Sequence, residues 1–242
     1  MDIIYEVLSG SHAYGLATEN ADEDIRGIFL PTEQQLLGFG YKETAERKPD
    51  IVYHSLKKYL SLTLKANPSL LAWLWVKDEH VRCQTPLGME LRANRDRFLS
   101  KKVRDTFGGY AMSQLKKMEK SYGAERGYAL HGERDAASDP YSRDAGYDTK
   151  NAMHLIRLLY CGVKLLSGGT YPVFIEDDEM RRHLVGIRHA EVGFHQILGE
   201  AKIMFDQLDF WLGHSDLPDV PDKEWAEKFL VSAHRSVIAD PS

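Results

Sequence analysis

Apolar and β-branched residues run together at 3–8 (Ile-Ile-Tyr-Glu-Val-Leu) and again at 25–30 (Ile-Arg-Gly-Ile-Phe-Leu), each the length of a strand. Pro31 closes the second run, since it has no N–H to give a ladder. The pattern predicts a third strand over Asp50-Ile51-Val52-Tyr53-His54. Leu56, Tyr59, Leu60 and Leu64 then recur at i, i+3, i+4 and i+8, an amphipathic helix with Lys57, Lys58 and Lys65 on its wet side and Ser55 placed to cap it. Asn67-Pro68 ends that helix, because a residue before proline is turned away from helical geometry. Ser69 is expected to cap the next run, Leu70 to Trp75, whose tryptophans sit among leucines and read as core. Between Pro31 and Pro49 the pattern predicts a loop or a short hairpin.

From Phe98 onward the period turns helical. Val103, Phe107, Tyr110, Ala111, Gln114, Leu115 and Met118 form one stripe, interrupted by Gly108-Gly109. Tyr122 to Tyr147, rich in Gly, Ser, Asp and Arg, reads as a loop or lid. Helices are predicted from about Asp148 to Leu166, stopped by Ser167-Gly168-Gly169, over 191–212, and from Asp222 to Val237 after a linker holding Pro218 and Pro221. The acids Glu176 to Glu179 read as a helix N-terminus rather than a metal cluster. His183, His189 and His195 are spaced by six, so one helix face does not gather them as ligands. The chain therefore divides into a strand-bearing part, 1–97, and a helical part, 98–242. The expected class is α/β (α+β), a small mixed sheet followed by a helical domain.

Composition narrows this little. Of 242 residues 43% are hydrophobic and 28% charged, the balance of an ordinary globular protein with a sizeable core. Cys83 and Cys161 are far apart, which excludes a disulfide scaffold and fits a reducing cytoplasm. No apolar run approaches the length of a membrane span, and Met1-Asp2-Ile3 lacks the basic lead of a secretory signal. A net charge of −5 argues against coating nucleic acid by overall charge, while leaving room for a local basic groove.

The candidate chemistry lies between the first two strands. Gly10-Ser11 follows strand 3–8 where a helix can begin; glycine permits close backbone approach, serine offers a hydroxyl, and free helix N–H groups favour a phosphate. Asp22 and Asp24 are separated by Glu23 ahead of the second apolar run, so on a strand the two carboxylates share a face and offer hard oxygens to a divalent metal. In the helical half, Lys150, His154, Arg157, Cys161 and Lys164 share one face of an otherwise apolar helix. Basic groups there are costly unless they meet anions, and nucleotide phosphates are the natural ones. Solvation of that face, or ion pairs with Asp22 and its neighbours, is the plainer alternative.

Leu8-Ser9-Gly10-Ser11, ten intervening residues and Asp22-Glu23-Asp24 resemble the signature of the DNA polymerase β-like nucleotidyltransferase superfamily. Gly10-Ser11-His12-Ala13-Tyr14-Gly15-Leu16, Asp24-Ile25-Arg26-Gly27 and Asn67-Pro68 resemble, within it, the branch associated with bacterial and phage RNA repair. The resemblance implies a nucleotidyltransferase domain and transfer of a nucleoside monophosphate from an NTP to a hydroxyl, with release of pyrophosphate. It implies Mg²⁺ or Mn²⁺ on Asp22, Asp24 and a third acid, for which Asp50 is the candidate and Glu43 and Glu46 the substitutes. Gly10 and Ser11 would hold phosphates, joined by Lys150, His154 and Arg157, with His12 and Tyr14 lining the site. An RNA end or a tRNA is the acceptor the resemblance favours, with a protein or small molecule as the other choices. Two further readings stand beside it: a nucleotide-binding regulator or antitoxin-like protein that turns nothing over, and a helical interaction module in which the motif is incidental.

Overall fold

The structure, a computed structural model, describes residues 2–18, 21–48, 50–122 and 140–239. In chain order its elements are β1 (Asp2–Leu8), α1 (Gly10–Tyr14), β2 (Ile25–Leu30), α2 (Glu33–Leu37), β3 (Thr44–Lys48), β4 (Ile51–Ser55), α3 (Leu56–Thr63) and α4 (Pro68–Ala72). There follow β5 (Val81–Gln84), α5 (Pro86–Ala93), α6 (Val103–Ser121), α7 (Pro140–Ala145), α8 (Thr149–Gly168), α9 (Asp178–Arg188), α10 (Phe194–His214) and α11 (Lys223–Ala239). The chain forms two compact units, Met1–Lys102 with Pro218–Ser242, and Val103–Leu217.

In the first unit the described strands form one mixed sheet in the order β3-β4-β2-β1-β5. β1 runs antiparallel to β2 and β5, β2 parallel to β4, and β3 antiparallel to β4. Gly27 makes the centre possible: a Cβ there would lie 2.6 Å from the Tyr53 ring and 2.8 Å from the Tyr5 carbonyl oxygen. The Tyr53 ring therefore lies over β2, and its hydroxyl reaches Glu6 Oε2 on β1 at 2.5 Å. Tyr5, Ile28, Phe29, Leu56, Tyr59, Leu71 and Leu74 are almost fully buried. Burial of a phenol requires a partner for its hydroxyl, and Tyr5 donates to the Trp73 carbonyl at 2.9 Å, Tyr59 to that of Leu70 at 3.0 Å. Trp73 and Trp75 are buried, as their leucine neighbours predict.

Several local expectations change. The segment after Pro31 folds into α2, capped by Thr32 and Gln35 in a reciprocal box, before β3 forms. Asn67, not Ser69, caps α4: its side chain accepts from the N–H groups of Ser69 and Leu70, with Pro68 in the first turn where a missing N–H costs nothing. The last helix, grouped with the helical part by sequence, clusters with the sheet unit, where α11 packs on α2, α3 and β2. Arg97 fixes its start through Asp222 at 2.6 Å, and Trp225 meets the edge of Phe98.

The second unit is built around α8, which packs on α6, α9 and α10. Ala152, Leu155, Ile156, Leu159, Cys161, Leu165 and Leu166 are buried along it, so only a narrow strip is left for polar groups. Asp148 caps the helix through Asn151 N at 2.8 Å, and Gly169 terminates it. Asp177 caps α9 by accepting from Glu179 and Met180 N–H groups, the acidic N-terminus expected there. His183, His189 and His195 go to separate partners, Glu200, Tyr141 and Tyr122. The predicted loop or lid lies mostly outside the described residues; Pro140–Ala145 within it is helical. Among the described residues, no helix is long and apolar enough to cross a membrane.

Candidate functional site

β1 ends at Leu8, and the chain turns at Ser9 into the single-turn-and-a-half helix α1. Ser9 occupies the cap position without a side-chain cap bond, and Ser11 lies inside the helix. Gly10 opens α1 at φ +63°, in the left-handed region that favours glycine. A Cβ at Gly10 would stand 2.1 Å from Asp24 Oδ2 and 2.9 Å from its Cγ. The Gly-Ser turn and the second acid of the Asp-x-Asp motif are therefore in direct contact, and only a residue without a side chain allows it. Ser9 N donates to the Asp24 carbonyl at 2.7 Å, extending the β1–β2 pairing by one residue and fixing the approach.

The two aspartates lie in the extended segment leading into β2 rather than within the strand, which begins at Ile25. Asp22 is exposed and Asp24 half-buried. Asp50 is exposed in the turn before β4, and its carbonyl accepts from Ile25 N at 2.8 Å. Because Ile25 pairs with Ile51 in the parallel β2–β4 ladder, Asp24 and Asp50 precede neighbouring strands at the same end of the sheet. Their side chains do not close into a ligand set: among the described residues, no three His, Cys, Asp or Glu side chains gather as a metal site. The donor chemistry nevertheless suits a hard divalent cation, since Asp22, Asp24 and Asp50 are oxygen donors at one sheet end.

Two residues that the sequence did not single out for a role, Arg26 and Arg82, hold this segment, and a third, His80, lies beside it. Arg26 donates to Asp24 Oδ1 at 2.7 Å, to the Asp50 carbonyl at 2.7 Å and to the Ile25 carbonyl at 3.0 Å, tying both acid-bearing turns together. Arg82, at the start of β5, pairs with Glu23 at 3.0 Å. His80, just before β5, has a buried Nδ1 without a hydrogen-bond partner among the described residues. Burial lowers its pKa against the opposing charge of Glu79, with His12, Lys77 and Arg82 adding to the lowering. His12 itself sets Nε2 3.2 Å from the Ala21 carbonyl, on the link between the two motifs. An alternation of Asp24 and Arg26 on one side of an extended segment was a readable signal for their pairing; the contact of Arg82 with Glu23, 59 positions away, was not.

The basic row lies in the other unit. Lys150 is exposed, and His154 and Arg157 are half-buried. Burial, then the charges of Arg157, Lys150, Arg188 and Lys117, push His154 down to about 3, so the ring is neutral at pH 7. Cys161, on the same face, is buried, and its thiol is pushed up to about 12.

The chain is 35% identical over 77 residues to the uncharacterized protein YcgL of Bacillus subtilis (strain 168), a match covering 30% of this chain and 30% of that protein. It is also similar to the crystal structure of a nucleotidyltransferase-like protein from Exiguobacterium sibiricum 255-15, at 12% identity and a TM-score of 0.31, over 97% of this chain and 74% of the other. Residues 1–192, which hold the glycine-serine turn, the paired acids and most of the helical unit, match one family along their whole length, and the chain belongs to it: the RNA repair pathway DNA polymerase beta family, RlaP.

Proposed function

We propose that the chain is a divalent-metal-dependent nucleotidyltransferase that moves a nucleoside monophosphate from an NTP to a hydroxyl of an RNA end. The observation that carries this reading is the contact of Gly10 with the Asp24 carboxylate, which joins a phosphate-type turn to a metal-type acid pair at one sheet end. The acceptor oxygen would bond to the α-phosphorus as the bond to the pyrophosphate oxygen breaks, and the hydroxyl proton would leave to solvent or a base. Asp22, Asp24 and Asp50 would hold Mg²⁺ or Mn²⁺, which when bound neutralises phosphate charge and lowers the pKa of the acceptor hydroxyl. Gly10 lets the turn close onto the Asp24 carboxylate, and Ser11 would offer a hydroxyl to a phosphate. Arg26 holds the Asp24 carboxylate and the Asp50 turn in register. Such transfer depends mainly on positioning and electrostatics, so this set needs no covalent nucleophile.

One observation favours the second reading, a nucleotide-binding regulator without turnover: Asp24 Oδ1 already has a cation, the Arg26 guanidinium. Calorimetric titration with each NTP, with and without Mg²⁺, together with pyrophosphate release, separates the two. Metal-dependent binding and release that both vanish in Asp22→Ala/Asp24→Ala support the transferase. Binding without release supports the regulator, and no binding removes both.

A further inference from the structure

The unit that holds the sheet carries a second set of polar groups, away from the paired acids. α5 and the helical turn Arg95–Phe98 that follows it line a cavity of about 460 Å³ with the chain between α4 and β5. Gln84, in its wall, pairs with Tyr5 in the β1–β5 ladder, three residues down β1 from Leu8, the partner of Ile25. Gln84 is therefore about 10 Å along the strands from the end that carries Asp24.

Two guanidinium groups are set into the cavity. Arg92 donates to the Val76 carbonyl at 2.6 Å and to Asp78 Oδ1 at 2.7 Å, and its Nε is buried with no partner among the described residues. Arg95 donates through Nη1 to the Leu74 carbonyl at 3.1 Å and lies over the Trp75 ring, 5.5 Å from its centre. Main-chain carbonyls thus fix both cations in place, while the other N–H groups of Arg95 donate to nothing among the described residues. The Asp78 side chain is 94% exposed, so its pair with Arg92 is weak and an entering anion can replace it. Asp96 is exposed, with no hydrogen bond or ion pair to its carboxylate among the described residues, and the Gln84 amide is likewise without a partner there.

Donors and acceptors without partners that converge on one cavity are what orients a small molecule. Among the described residues the lining sets Arg92 and Arg95 against Asp78 and Asp96, so its charges balance. A ligand with one carboxylate and one ammonium keeps that balance, whereas a phosphate dianion would be repelled by both acids. Trp75 offers a nucleobase no face to stack on: it is 8% exposed and the Arg95 guanidinium lies over it. Val76 and the half-exposed Met89 give a short apolar wall for a side chain.

We propose that this cavity binds a free α-amino acid, its carboxylate on Arg95 and Arg92 and its ammonium on Asp96. The claim does not involve metal ion, NTP or transfer, so it and the transferase reading stand or fall separately.

The test melts the full chain with each common L-amino acid in turn at millimolar concentration, and follows any that raises the melting temperature by equilibrium dialysis of the radiolabelled compound. At about five times its dissociation constant a bound amino acid should raise the melting temperature by about 2–4 °C, and dialysis should find one equivalent per chain. Asp96→Asn, at an exposed position with no partner to lose, should melt with the parent in buffer and bind the amino acid roughly tenfold more weakly. The N-acetyl derivative, which keeps the carboxylate and loses the ammonium, should show a similar loss with the parent chain. No shift with any amino acid overturns the proposal, and so does an Asp96→Asn chain that binds as the parent does. An equal shift from sodium phosphate or sodium acetate overturns it in favour of a simple anion site.

Discussion

Gly10→Ala is the sharpest perturbation the geometry offers. The new methyl would sit 2.1 Å from Asp24 Oδ2, whereas real Cβ atoms essentially never come within 3.0 Å, so the oxygen must retreat by about 0.9 Å or more. The backbone of Asp24 cannot follow, because its carbonyl is held by Ser9 N at 2.7 Å; the carboxylate has to turn, away from Arg26. Loss of that half-exposed pair costs at most about 1 kcal/mol. Alanine at φ +63° adds about 1 kcal/mol of backbone strain. A total of about 2 kcal/mol lowers the melting temperature by roughly 4–8 °C in a protein of this size. The functional loss is larger, since a displacement of about 1 Å in a catalytic group costs on the order of a hundredfold in rate. Scanning calorimetry and pyrophosphate release on the same preparation read both. A variant that melts within a degree of the parent and releases pyrophosphate at the parental rate would refute the contact as the organising feature of the site.

Arg26→Ala should lower the melting temperature by a few degrees and slow transfer, because three acceptors on two turns lose one donor; Arg26→Lys, a point charge without the fork, should restore stability only in part, as thermal melts would show. Tyr53→Phe removes a buried-side hydroxyl that donates to Glu6 and should cost about 1 kcal/mol by urea titration. Burial, then that hydrogen bond, raises Tyr53 to about 12, so its contribution is complete below pH 10 and is lost as pH rises from there through 12; the alkaline fall in stability should shrink in the variant. His54, held down to about 4 chiefly by burial, contributes stability above pH 6.5 that is lost as pH falls towards 4, and His54→Asn should flatten the acid limb of the urea midpoint.

The strands β1, β2 and β4, the α3 stripe with its Ser55 cap, and the core tryptophans were legible because each is written in adjacent residues. β5 was not: Val81-Arg82-Cys83-Gln84 alternates apolar and polar residues over only four positions, too short to announce a strand, and it forms one where the edge of β1 is there to pair with. α2 escaped notice because its leucines are not buried; Leu37 is 68% exposed, so no apolar stripe announces it. At the candidate site, residue types and spacing singled out Gly10, Ser11, Asp22 and Asp24, but only the folded chain shows Gly10 pressed on Asp24. The role of Arg26 depends on the Asp50 turn arriving beside it across a parallel ladder, a contact between distant segments that periodicity does not encode. The same holds for α11, which looks like one more amphipathic helix until Arg97 and Phe98 give it a place.

The central claim, that the Gly10–Asp24 site transfers nucleotides to RNA, is tested most directly by incubating the full chain with Mg²⁺, RNA and each NTP labelled at the α-phosphate. The account predicts label covalently joined to RNA ends with one of the nucleotides, and none with Asp22→Ala/Asp24→Ala. Label that stays in free nucleotide under every condition, or that enters RNA equally well with the double variant, would contradict it.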